Sequence, residues 1–152
     1  MSHNNEQYPA SCPECGADKI MGMTCWEQLG GILAWEWHDP DLYTEHFLTV
    51  ASYNLQHPAQ FTDESIVKLR EAFIDHLDNG TPTKVLRRRM AKFATGEKKV
   101  LKNFPVRQMI LRHWNMTIAD VYLPSSPEGA AERVRAWARS IRNELQDTDE
   151  VA

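Results

Sequence analysis

Residues 25–58 read CWEQLGGILAWEWHDPDLYTEHFLTVASYNLQHP, and the punctuation of this stretch decides the fold. Asp39-Pro40 is a helix start. Asp39 is the N-cap, and Pro40 sits at the first helical position, where its missing N–H is no loss. Upstream, over 25–37, Trp26, Leu29, Ile32, Leu33, Trp35 and Trp37 recur largely at helical spacing. Downstream, the helix runs to about Gln56, because His57 precedes Pro58 and is pushed out of the α region. His46, Val50, Tyr53 and His57 form one stripe along it. Two helices joined by about two residues pack antiparallel. Gly30-Gly31 costs the first helix about 1 kcal/mol per glycine relative to alanine. Close approach of a neighbouring helix is the expected compensation, with a local break as the alternative.

The same punctuation continues outward. Thr62-Asp63-Glu64 opens a third helix with acids in its first turn, and Gly80 stops it. Its core period is Ile66, Leu69, Phe73 and Leu77. Thr81-Pro82 opens a fourth helix to about Thr95, with Leu86, Met90 and Phe93 inward. Residues 97–116 read as neither helix nor strand. Thr117 with Asp120 marks a short capped helix. Ser126-Pro127-Glu128 opens the last helix, whose stripe is Ala130, Val134, Trp137, Ile141 and Leu145. The predicted fold is all-α: a small helical bundle with an N-terminal zinc knuckle packed on an antiparallel helix pair. The expected organisation is a metal knuckle arm over 1–24, a helical domain over 25–146 and a frayed tail over 147–152.

Composition supports this. The 152 residues are 42% apolar and 25% charged, enough for a packed core. The polar first eleven residues carry no leader pattern, so a cytoplasmic, reduced protein is expected. Three cysteines, Cys12, Cys15 and Cys25, make an odd set and argue against a disulfide framework. Ser11-Cys12-Pro13-Glu14-Cys15-Gly16 has the form of a metal knuckle. Pro13 stiffens the turn, and Gly16 can take the left-handed conformation that aims backbone N–H groups at the sulfurs. Those N–H groups stabilise the thiolates that Zn²⁺ requires. The polar stretch before the knuckle is no strand, which sets it apart from a redox CxxC.

A closed zinc site needs four ligands, and no second CxxC exists. Level along the helix pair selects the others. Cys25 lies fourteen residues before Asp39, about 21 Å along the axis, and Tyr53 lies fourteen after it. His57 is about one turn further. His46 falls about 10 Å short of Cys25. The expected ligands are therefore Cys12, Cys15, Cys25 and His57. His46, Tyr53 and Gln56 are expected around them as hydrogen-bonding support, with His46 the alternative ligand.

The segment Cys12-Pro-x-Cys-Gly16, then Cys25, then His46-Phe-Leu-Thr-Val-Ala-Ser-Tyr53-Asn-Leu-Gln56-His57-Pro58 resembles the domain-of-unknown-function family 5946. The resemblance extends weakly to Thr117-Ile-Ala-Asp120-Val and to Trp137-Ala138. It implies a small, mainly helical, metal-binding bacterial protein and no known activity.

The net charge of −4 hides a segregation. Residues 1–80 carry thirteen acids and three bases, 81–119 one acid and ten bases, and 120–152 seven acids and four bases. The basic block includes Lys84, Arg87, Arg88, Arg89, Lys92, Lys98 and Lys99, with Phe93, Phe104 and Trp114 interleaved as stacking surfaces. It reads as a face for nucleic acid or an acidic protein partner. Pairing with the acids Glu64, Glu71, Asp75 and Asp78 is the alternative. The leading function is an interaction module with a structural zinc. The alternative is a zinc enzyme with an open metal position and His46 or Glu36 as general base. A third reading makes Cys25 a resolving thiol in a redox sensor. No HExxH, HxE…PCxxC, P-loop, GxGxxG or GxSxG motif is present.

Overall fold

The computed structural model describes residues 10–94 and 109–151, with backbone alone for 93–94 and 147–151. Helix α1 spans Cys25–Trp35. Thr24 and Glu27 close a capping box at its start: the Glu27 N–H donates to Thr24 Oγ1, and the Thr24 N–H donates to Glu27 Oε1. Helices α2 (Pro40–Thr44) and α3 (His46–Gln56) follow, then α4 (Asp63–Asn79), α5 (Thr83–Ala94) and α6 (Ala130–Val151). Two 3₁₀ turns lie at Pro58–Gln60 and Ile118–Asp120. Among the described residues there is no strand, only two isolated bridges in the N-terminal arm, and no helix long and apolar enough to cross a membrane.

The caps predicted at Asp39 and Thr62 and the stop at Gly80 are present, while the fourth predicted helix opens at Thr83, just after the expected Thr81-Pro82. The Leu42 N–H donates to Asp39 at 3.1 Å, the Ser65 N–H to Thr62 at 3.2 Å, and Gly80 ends α4 at φ +68°. Two expectations are corrected. The helix expected from Pro40 to Gln56 breaks at Glu45, whose φ is −94° and ψ 14°. The Glu45 N–H bonds the Leu42 carbonyl in a tightened 3₁₀ turn, and Thr44 Oγ1 donates back to the Pro40 carbonyl. Such back-bonding bends helices. The last helix opens at Ala130 rather than at Ser126-Pro127. Gly129 takes φ +83° first, and Arg133 donates to the carbonyls of Val121, Ser126 and Glu128, holding that turn.

The core gathers around α6. Ala130, Val134, Trp137 and Ile141 are fully buried and Leu145 nearly so, as the stripe predicts. They pack on α3, which also meets α4. Of the α4 stripe only Phe73 is fully buried; Ile66, Leu69 and Leu77 are half-buried. Gln56 is buried between α3 and α6. Its Oε1 accepts from Trp137 Nε1 at 3.2 Å, and its Nε2 donates to the Met116 carbonyl at 2.8 Å.

Helix α1 lies against the 3₁₀ turn at Ile118–Asp120. It buries Gln28, Leu29 and Ile32, while Trp26 is exposed. The glycine pair has an asymmetric purpose. A Cβ on Gly31 would lie 2.5 Å from a ring carbon of Tyr122, whereas one on Gly30 would meet nothing within 4 Å. The close neighbour is thus an aromatic ring after a short turn rather than a helix. Tyr122 is pinned by stacking on Trp35 at 5.1 Å and by its hydroxyl on Met23. Gly31→Ala is expected to cost about 1–3 kcal/mol through overpacking. Gly30→Ala is expected to add roughly 0.5–1 kcal/mol through helix propensity. Urea unfolding of the two variants measures both signs, and equal effects would contradict this packing.

Candidate metal centre

The N-terminal arm folds as a hydrogen-bonded loop. The Cys12 N–H donates to the Ala17 carbonyl and the Gly16 N–H to the Cys12 carbonyl. Gly16 is at φ +79°, the left-handed region the loop needs. The N–H groups of Glu14 and Cys15 point at Cys12 Sγ (3.4 and 3.5 Å), and that of Ala17 at Cys15 Sγ (3.4 Å). One residue, Glu14, fastens this loop to the rest of the chain at two points. Glu14 is buried and its carboxylate accepts from the Ala59 N–H at 2.8 Å, while its carbonyl accepts from the Arg112 N–H. The sequence reading missed Glu14. A carboxylate between two cysteines of a knuckle invites a solvent-exposed assignment, and only its distant partner reveals the role.

The loop meets α1 and α3 at their adjacent ends. One ligand atom each from Cys12, Cys15, Cys25 and His57 lies within 4.8 Å of the others. His57 Nε2 is 3.7 Å from Cys12 Sγ and 3.3 Å from Cys25 Sγ. Around a tetrahedral ion with metal–sulfur bonds of about 2.3 Å and metal–nitrogen bonds of about 2.0–2.1 Å, a nitrogen–sulfur edge is about 3.5 Å. The donors present therefore fit a metal ion. His57 Nδ1 donates to the Tyr53 carbonyl at 2.7 Å, which fixes the tautomer and leaves Nε2 facing the sulfurs. Tyr53 stacks on the His57 ring at 4.0 Å, and its hydroxyl lies 3.8 Å from Cys25 Sγ.

The electrostatics follow from the crowding. Hydrogen bonds from Cys15 and Cys25 hold the Cys12 thiol far below its ordinary range. The same hydrogen bonds to Cys12 and Cys25, with burial, push Cys15 far up. Burial also drives Tyr53 up, joined by the charge of Cys25. At His57 burial disfavours the charged ring, but hydrogen bonds to Cys12, Cys25 and the Tyr53 carbonyl outweigh it and push the ring up to about 10. The shifts at Cys12 and His57 both run toward the charged forms, a Cys12 thiolate beside a protonated His57 ring.

The other expected residues lie elsewhere. His46 is at the far end of α3, eleven residues and roughly 16 Å from His57. Its Nδ1 donates to the Glu36 carboxylate at 2.8 and 3.0 Å. Neither His46 nor Glu36 reaches the cluster, so neither serves there as ligand or general base. Gln56 faces Trp137 and Met116 instead of the sulfurs. On α5, Lys84, Arg87, Arg88 and Lys92 are exposed, while Arg89 pairs with Asp75 at 2.6 Å. Trp114 is half-buried, with the Arg112 guanidinium over one face 3.8 Å from the ring centre. Lys98, Lys99 and Phe104, and the Phe93 side chain, fall outside the described residues.

Residues 10–146 match the model of the family of unknown function DUF5946, and the chain belongs to that family. No curated protein and no solved structure matches the chain.

The cluster has a pH signature. In the metal-free chain the raised His57 contributes stability that is full below its ordinary value, about 6.5, and is lost as pH rises through about 10. Metal binding must displace that proton, so affinity for the ion rises over the same window. Melting curves of chelated protein and of His57→Gln, taken from pH 6 to 10, should converge as pH rises. Metal titrations should tighten. A constant gap between the two melting curves would contradict the imidazolium.

Proposed function

We propose that this member of the DUF5946 family binds one Zn²⁺ through Cys12, Cys15, Cys25 and His57, and that the ion is structural. The supporting observation is the closure of the donor set: three sulfurs and one nitrogen within 4.8 Å, from a loop and two helices. Four protein ligands leave no open position for a water, the mark of a structural rather than a catalytic zinc. Softness of three thiolates favours zinc over magnesium or calcium. A thiolate-held ion needs reduced cysteines, which fits a cytoplasmic location. The ion joins residues 12–15 to α1 and α3, where a loop this small has little apolar area of its own.

The purified chain is expected to carry one zinc. Chelation should lower its melting temperature, since metal binding of this kind is folding free energy, on the order of 10 kcal/mol. Cys12→Ser and His57→Ala should each lose the metal, and His46→Ala should keep it. Cobalt substitution should give the visible spectrum of a tetrahedral S₃N shell. Metal-free protein of undiminished stability, or metal loss in His46→Ala, would sink the reading.

A second reading concerns α5. Lys84, Arg87 and Arg88 are exposed and have no carboxylate partner among the described residues. We infer a face for a nucleic acid or an acidic protein, beyond the intramolecular Arg89–Asp75 pair. Changing Lys84, Arg87 and Arg88 to Ala should weaken binding of a short DNA duplex and flatten its salt dependence by about three counterions. Absence of binding at low salt would remove this partner.

A further inference from the structure

We propose that the groove between α2–α3 and the first turns of α5 binds a small organic carboxylate with a flat apolar body. The groove has a volume of about 250 Å³. Phe47, Val50 and Leu69 form its apolar wall, and His46, Thr83 and Arg87 supply polar groups. An apolar lining with a few convergent polar groups is the usual composition of a ligand pocket. Its volume suits a single-ring molecule.

One observation sets the charge of the ligand. Arg87 lines the groove, and no carboxylate of the described residues pairs with it, whereas Arg89 on the same helix is engaged by Asp75. A guanidinium is a planar fork that grips a carboxylate through two parallel hydrogen bonds. His46 forms part of the wall: the Glu36 side chain, only 7% exposed, accepts from His46 Nδ1 and holds the imidazole in place beside the groove.

The walls set the shape. The Tyr43 ring lies 6.2 Å from the His46 ring at 29° and is itself 65% exposed. Tyr43 borders both this groove and a neighbouring one formed with Leu33, Glu36 and Trp37. The exposed Tyr43 ring beside the held imidazole suits contact with another ring. None of these residues belongs to the metal cluster, so the two sites stand or fall separately.

The test titrates benzoate and inorganic phosphate into the full chain as purified while ¹H–¹⁵N spectra are recorded. Benzoate should give saturable shifts at His46, Phe47, Val50, Leu69 and Arg87, with Kd on the order of 1 mM for so few atoms. Phosphate has the charge but no apolar body and should leave those amides in place. Arg87→Ala, an exposed substitution, should weaken benzoate by about tenfold or more. Arg88→Ala, off the groove, should not change it, which separates this site from a general basic face. An unchanged metal content and melting temperature show that the Arg87 variant is folded; Arg87→Gln serves if it is not. Absence of saturable benzoate shifts, benzoate binding indifferent to Arg87, or phosphate moving the same amides equally well would each overturn the proposal.

Discussion

The His57 ring joins three parts of the chain. Its Nε2 faces the sulfurs of the N-terminal loop and of α1, and its Nδ1 is held by the Tyr53 carbonyl of α3. At the opposite end of the same two helices, Glu36 grips His46. Cys25 and Glu36 are eleven residues apart on one side, and His46 and His57 eleven apart on the other. Two polar ties at equal spacing therefore hold α1 and α3 in one antiparallel register. Hydrophobic contact alone is non-directional and would tolerate a slip; a histidine ring between fixed acceptors does not.

The rest of the bundle is built off the other faces of α3. Gln56 precedes His57 in sequence, so its side chain points some 100° around the helix, away from the sulfurs and toward α6. There it satisfies the Trp137 indole and the Met116 carbonyl in a buried site. Losing either partner would leave a buried polar group unpaired, at roughly 1–3 kcal/mol. The cysteine–histidine cluster and the core thus draw on one end of α3 and use adjacent residues for opposite tasks. Damage to α3 would reach both.

Much of this was legible in order of locality. Caps, prolines and the Gly80 stop are decided within four residues, and Asp39, Thr62 and Thr117 all cap as their types predict. The break at Glu45 was not legible. It follows from Thr44 bonding back to Pro40, and from Glu45 leaning toward Arg135, whose guanidinium is 3.7 Å away on α6. The break lies before His46, so the eleven-residue spacing from His46 to His57 at the end of α3 is kept, and His57, not His46, meets Cys25. Gly31 was flagged by type, yet its reason, the Tyr122 ring, lies about ninety residues away.

The sequence by itself determined the helices, the knuckle and the register that excludes His46 from it. Those depend on backbone sterics, on side chains that bond their own neighbours, and on a fixed rise per residue. Tertiary structure decided which polar side chains are buried and toward what: Glu14 on Ala59, Gln56 on Trp137, Glu36 on His46. Each is a short polar contact whose direction is set by the packing of whole elements. In the first two, residues at least forty-five apart are joined, and no local pattern encodes that.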